Sequence, residues 1–197
     1  MTTLLEEATS LVEILTASLP TVVDPASISL QAKIPAKALC YREAMIWRTE
    51  ELSGSACRHY ASDELATAIT LTRAAIEGMA ATWYLKTSVE KVVKSRSVGA
   101  FDDQIMRLLL GSKNDVSALE AINVLKFIDS VDKEITGFRG TYESLCEYSH
   151  PNWSGTSLLF SRIDHEQVLT EFGRNKRNSE GPRSLGLQAL IGTLTMY

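Results

Sequence analysis

The chain has 197 residues, 45% of them hydrophobic and 22% charged, which suits a single globular domain over residues 1–197 with a sizeable core. A formal net charge of -4 excludes a global electrostatic pull toward nucleic acid or anionic membrane, so any nucleic-acid contact must come from a local basic patch. Cys40, Cys57 and Cys146 are widely spaced with no CxxC pair; this excludes a disulfide framework and predicts reduced thiols in a cytoplasmic protein.

The first seven residues lack a basic start and an unbroken apolar stretch, so no secretion signal is read there. Helical spacing of Leu4, Leu5, Leu11, Val12, Ile14 and Leu15 predicts a helix over 2–17. Pro20, Asp24 and Pro25 end it. A second helix starts near Pro35, a residue suited to a first helical position. It runs through Leu39, Ile46, Trp47 and Leu52 to Tyr60, with a weak point at Ser53, Gly54 and Ser55. Ser62 and Asp63 are read as the cap of a third helix reaching about Val93.

Between Ala66 and Leu85 only Arg73 and Glu77 are charged, and a helix this apolar all round belongs at the centre of a bundle. Thr67, Thr70, Thr72, Arg73 and Glu77 interrupt it enough to argue against a membrane span. Residues 86–96 are polar and basic and should emerge into solvent. Further helices are expected over 101–110, ended by Gly111, over 117–130, and over 132–148 with Ile135, Phe138, Tyr142 and Leu145 on the apolar side.

After Pro151 the pattern changes. Segments 156–163 and 167–172 flank Asp164, His165 and Glu166 and read as a β-hairpin. Residues 173–183 form a polar loop, so 151–183 is an excursion from the bundle. The apolar run 184–197 is too short to span a bilayer. It is either a packed terminal helix or a run that continues in a longer chain. The expected architecture is an all-α up-and-down bundle of roughly five or six helices with a small β-hairpin after the His150 helix.

His150 is the leading candidate for catalysis. Pro151 disfavours helix in the residue before it, which puts His150 at a helix boundary, fixed yet reachable. An imidazole there can move a proton near neutral pH or accept a ligand. Upstream, Arg139, Glu143 and Glu147 follow at four-residue steps, and Asn152 lies just beyond the proline. Arg139 and His150 point to a similar side but are about 16 Å apart along the axis. The alternative reading of this row is a solvated face with i,i+4 pairing.

Arg73 and Glu77 share one helix face, and Tyr84, seven residues beyond Glu77, lies nearly on it. They make either an internal ion pair that fixes helix register or the charged floor of a pocket for phosphate or carboxylate. The candidate ligand-binding set is therefore Arg73, Glu77, Tyr84, Arg139 and Asn152. Arg174, Lys176, Arg177 and Arg183 form a basic cluster, read as a solvated loop or as phosphate contacts. His59 and His165 have no metal-ligand spacing, and there is no phosphate-binding glycine loop. No metal and no cofactor are expected.

The pattern Tyr142-x-x-Leu145-x-Glu147-x-x-His150-Pro151 resembles the helix end of bacterial HEPN-like helical families, and Arg73 to Glu77 resembles their central helix. The resemblance covers about a third of the chain in two pieces. It implies an all-α bundle, a homodimer formed through the motif helices and, in active members, metal-independent RNA cleavage by an arginine separated from the histidine by four to six residues. Here that arginine would fall at Leu145, Ser144 or Glu143, none of them basic. The expectation is a HEPN-like module with an incomplete catalytic motif that binds a partner protein, nucleotide or RNA. The alternatives are a metal-independent endoribonuclease of toxin or phage-defence type using His150, and a purely structural assembly domain.

Overall fold

The computed structural model describes residues 3–114, 119–174, 176–177 and 179–197. Helix α1 (Leu4–Ala17) opens on a capping box: the Glu6 amide donates to Thr3 Oγ1 at 3.2 Å and the Thr3 amide to Glu6 Oε2 at 2.7 Å. Its Ala8, Val12 and Leu15 face the core. A single turn, α2 (Pro25–Ile28), is capped by Asp24, which accepts from the Ala26 amide at 2.9 Å.

Helix α3 (Lys33–Ala61) starts two residues before Pro35 and runs unbroken through Ser53, Gly54 and Ser55. Proline costs nothing so near the start, because first-turn amides have no intrahelical partner. Helix α4 (Leu65–Ser95) follows after a tight corner. Ser62 and Asp63 do not cap α4 as expected from sequence. Ser62 closes α3, Asp63 takes a left-handed conformation (φ 55°), and Glu64 is the N-cap residue, its side chain making no bond to the α4 amides.

Helices α3 and α4 make the most extensive pairing in the molecule. A Cβ on Gly78 would stand 2.8 Å from Thr49 Oγ1, so the close approach of these two helices depends on glycine. Along α4, Ala68, Ile69, Thr72, Ala75, Ile76, Met79, Ala80 and Ala81 are all buried, which puts its middle at the centre of the core.

Helix α5 (Phe101–Leu110) ends at Gly111, as the sequence indicates, and Lys37 of α3 bonds Asp102 in its first turn at 2.6 Å. Helix α6 (Val124–Asp132) is shorter than the helix expected over 117–130. Asn123 caps it, accepting from the Leu125 amide at 3.0 Å. Just upstream, Ser112 and Glu120 pair in an isolated bridge. Residues 117–118 lie outside the described residues.

The helix expected over 132–148 is also divided. Asp132 ends α6, and α7 (Phe138–Ser149) begins after Gly137, whose φ of 92° suits glycine. Asp132 Oδ1 accepts from the amides of Gly137 (3.1 Å) and Arg139 (3.0 Å), so the end of α6 caps the start of α7.

A single turn, α8 (Ser157–Phe160), leads into β1 (Ser161–Asp164), which pairs antiparallel with β2 (Leu169–Phe172), Ser161 opposite Phe172. The hairpin is the expected one with a shorter first strand, because 157–160 turn helical. Helix α9 (Glu180–Leu194) packs on α1 and α4. It starts inside the loop expected over 173–183. A Cβ on Gly186 would stand 1.9 Å from the Tyr60 hydroxyl, so the Tyr60 side chain of α3 reaches α9 only because glycine stands there. The result is an all-α bundle with a small hairpin. Among the described residues no helix is long and apolar enough to cross a membrane.

Candidate functional site

Helix α4 carries its two mid-helix charges on the face that meets α7. Glu77 Oε1 accepts from Arg73 Nε at 3.2 Å and lies 3.2 Å from Arg73 Nη2 as an ion pair. The same oxygen accepts from the Tyr142 hydroxyl at 2.8 Å. The Arg73 guanidinium carbon stands 5.9 Å from the centre of the Tyr142 ring, within cation–π range. Tyr142 is 5% exposed, while the side chains of Arg73 and Glu77 are 29% and 25% exposed.

The electrostatics follow from this geometry. Desolvation works against the Arg73 charge, but Glu77, Tyr142 and Cys146 more than compensate and raise its pKa. Burial first, then the hydrogen bond and charge of Glu77, push the Tyr142 phenol well above its usual range. The cluster is therefore a charged guanidinium and a protonated phenol sharing one carboxylate oxygen.

Glu77 meets Tyr142, while Arg73, one turn earlier on α4, lies within electrostatic reach of Cys146, one turn later on α7. The two helices thus run antiparallel. Tyr142, Cys146 and His150 follow at four-residue steps, and His150 comes just past the end of α7, about 6 Å further along the axis than Cys146.

His150 is the C-cap residue of α7, as Pro151 predicts, with extended backbone (ψ 152°) and its amide bonded to the Cys146 carbonyl at 3.0 Å. Its side chain is exposed, and none of the described residues hydrogen-bonds its imidazole. The following loop folds back closely: a Cβ on Gly155 would stand 2.0 Å from the His150 carbonyl oxygen. Asn152 holds this loop. Its Nδ2 donates to Glu147 at 2.7 Å, its Oδ1 accepts from the Gly155 amide at 3.0 Å, and its carbonyl accepts from the Thr156 amide at 3.0 Å. Both ends of the Asn152 side chain are thus used in the loop.

Arg139 is tied elsewhere. It donates to Glu143 at 2.8 Å and to Asp129 of α6, and these two bonds raise its pKa. Tyr84 stacks obliquely on Phe127 of α6, with ring centres 5.1 Å apart. Over its length α4 meets α7 and then α6, so Tyr84 joins a different neighbour from Glu77. Of the candidate residues, the structure brings together Arg73 and Glu77, and leaves His150 exposed at the end of the helix that carries Tyr142. Arg139, Tyr84 and Asn152 serve local packing.

The structural partner missed in the sequence is Tyr142, assigned only to an apolar face. The available signal was that a buried tyrosine hydroxyl needs a partner. A second network was also missed. His59 Nδ1 lies 2.6 Å from Glu64 Oε2, while Glu64 Oε1 accepts from Arg174 at 2.8 Å. The hydrogen bond from His59 and the charge of Arg174 hold the Glu64 carboxyl below its usual range.

The basic cluster is engaged within the protein. Besides Arg174, Arg183 pairs with Asp63 and Lys176 lies 3.5 Å from Glu171. Arg177 donates to the Ser161 carbonyl at 2.8 Å. Arg174 and Arg183 thus reach the corner between α3 and α4 and Lys176 and Arg177 the hairpin, while Arg174 keeps 64% of its side chain exposed, as a solvated loop would. Among the described residues no group of three or more His, Cys, Asp or Glu is placed to hold a metal ion. Comparison with protein-family models, characterised proteins and solved structures gives no match.

Proposed function

We propose that the chain is a HEPN-like module that binds RNA or a nucleotide phosphate at the seam of α4 and α7 and does not cleave it. The observation carrying this reading is the state of Arg73. Its charge is secured by a single carboxylate oxygen, it is partly exposed, and of its five N–H donors the Nε–H is the one hydrogen-bonded to Glu77. His150, exposed at the end of the helix that carries Tyr142, supplies a second group for the same ligand. The arginine spacing expected of an active member is missing, and Arg139 is committed to Asp129 and Glu143.

The test measures RNA binding and RNA cleavage in EDTA for the wild type, Arg73→Met and His150→Ala. Binding without cleavage, weakened by both substitutions, is expected. Robust cleavage that disappears in His150→Ala overturns the binding reading in favour of a metal-independent endoribonuclease. The exposed, unencumbered imidazole is what favours that second reading. RNA binding unchanged in Arg73→Met, with stability lowered, assigns the cluster to architecture alone.

The same reading makes the protein a cytoplasmic homodimer. An apolar groove of about 600 Å³ beside α9, with Ile135, Phe138, Leu185 and Met196 in its lining, supports a second copy at that face.

A further inference from the structure

A slot and a pocket meet at Arg42. The slot lies between the start of α3, the end of α4 and the start of α5, and holds about 430 Å³; Arg42 is the single charged residue among the ten that line it. Leu85 and Phe101 lie deep in it, 4% and 6% exposed, while Val93 on its lip is 69% exposed. Apolar lining with few polar groups is the usual make-up of a small-ligand site.

On the other side of Arg42 is a pocket of about 410 Å³ whose lining includes Glu43, Thr82, Trp83, Lys86 and Tyr197. Its two cations, Arg42 and Lys86, outnumber its one acid, Glu43. Glu43 is 9% exposed and takes one Arg42 nitrogen. The remaining donors of Arg42 stay available, and its side chain is 50% exposed. Lys86 Nζ stands 4.1 Å from the centre of the Trp83 ring and 3.5 Å from Glu90, too long for a tight ion pair. The adjoining helix ends carry Lys33, Lys37, Lys91, Lys94 and Arg96 against Glu90, Asp102 and Asp103, in a chain of net charge -4. Lys37 is spent on Asp102 of α5.

We propose that slot and pocket together bind a free single-chain aliphatic carboxylate, its chain in the slot and its carboxylate at Arg42 and Lys86. The apolar slot accounts for the chain, and Arg42 with Lys86, against Glu43 alone among the pocket's lining residues, accounts for the acid. This reading is independent of the α4–α7 seam. Each methylene buried in the slot should strengthen binding about fourfold.

The test is displacement of a fluorescent undecanoate probe by octanoate, decanoate and dodecanoate below their micellar concentrations, with decanol as the uncharged control. Affinity should rise with chain length, and decanoate should bind at least tenfold more tightly than decanol. Arg42→Met should remove that preference and leave decanol binding unchanged. Val93→Glu, on the exposed lip, should weaken both. Should Arg42→Met fail to fold, Lys86→Met carries the same expectation. Failure of the carboxylates to displace the probe overturns the proposal, as does equal affinity for decanoate and decanol. Binding to phosphatidylglycerol vesicles without binding of the free acid also overturns it, because the basic rim would then be reading a membrane surface.

Discussion

The hydroxyl of Tyr142 on α7 donates to Glu77 Oε1 on α4 at 2.8 Å, and Arg73 reaches the same oxygen. One atom therefore couples a long central helix to the helix that ends in His150. Removing the hydroxyl in Tyr142→Phe should cost about 1–2 kcal/mol, the range for a hydrogen bond to a charged group that keeps some solvent. The urea midpoint should fall with an unchanged m-value. In a double-mutant cycle, Tyr142→Phe and Glu77→Gln should be non-additive, since both break the same bond.

Alkaline pH should unfold the protein through its buried phenols. Burial, joined by the neighbouring Tyr197, pushes Tyr41 up to about 12. Burial also raises Tyr60 and Tyr142 well above the usual tyrosine range. In the unfolded chain these groups release protons near their ordinary value of 10.0, while the folded chain retains them. Each is a raised pKa, so its contribution is complete below pH 10 and is lost as pH rises toward the folded value. The slope should approach about 1.4 kcal/mol per pH unit for each fully buried phenol. Absorbance at 295 nm should show Tyr41 and Tyr60 ionising together with loss of helical circular dichroism rather than before it.

Gly186→Ala should be among the most damaging single-methyl substitutions. The new Cβ would fall 1.9 Å from the Tyr60 hydroxyl and 2.9 Å from the ring carbon that carries it. Overpacking of this kind costs about 1–3 kcal/mol. Adding Tyr60→Phe should recover part of the loss, because it removes the nearer of the two atoms. Thermal denaturation of the single and double variants checks this.

Asn152 and His150, two residues apart, should behave oppositely. Asn152→Ala removes the bonds to Glu147 and the Gly155 amide and should cost about 1 kcal/mol. His150→Ala changes an exposed side chain and should stay within about 0.5 kcal/mol of the wild type. Equal destabilisation would identify His150 as a structural residue.

Local signals were legible in the sequence where chain neighbours decide the outcome. The Arg73–Glu77 pair follows from its spacing, the end of α5 from Gly111, and the extended backbone of His150 from Pro151. Long-range register was not legible. Nothing near Tyr142 says that Glu77 will lie opposite, because that depends on how antiparallel helices slide past one another. Tyr84 shares a face with Glu77 by spacing, yet α4 meets a different helix there. The 132–148 pattern read as one helix because Asp132 and Gly137 look like ordinary helix residues until the Asp132 carboxylate is seen capping the next helix. The ion pairs of the basic loop were not legible because Glu64 and Asp63, its partners, lie more than a hundred residues away.

Helix α7 is pinned at both ends by short side chains, Asp132 at its start and Asn152 just past its finish. With Tyr142 bonded to Glu77 between them, the helix is held against α4 before anything binds. A ligand arriving at the Arg73 face would meet a preorganised surface and spend little of its binding free energy on ordering the helix. Association there should be governed by encounter rather than by a conformational step, with substitutions on that face acting mainly on the dissociation rate.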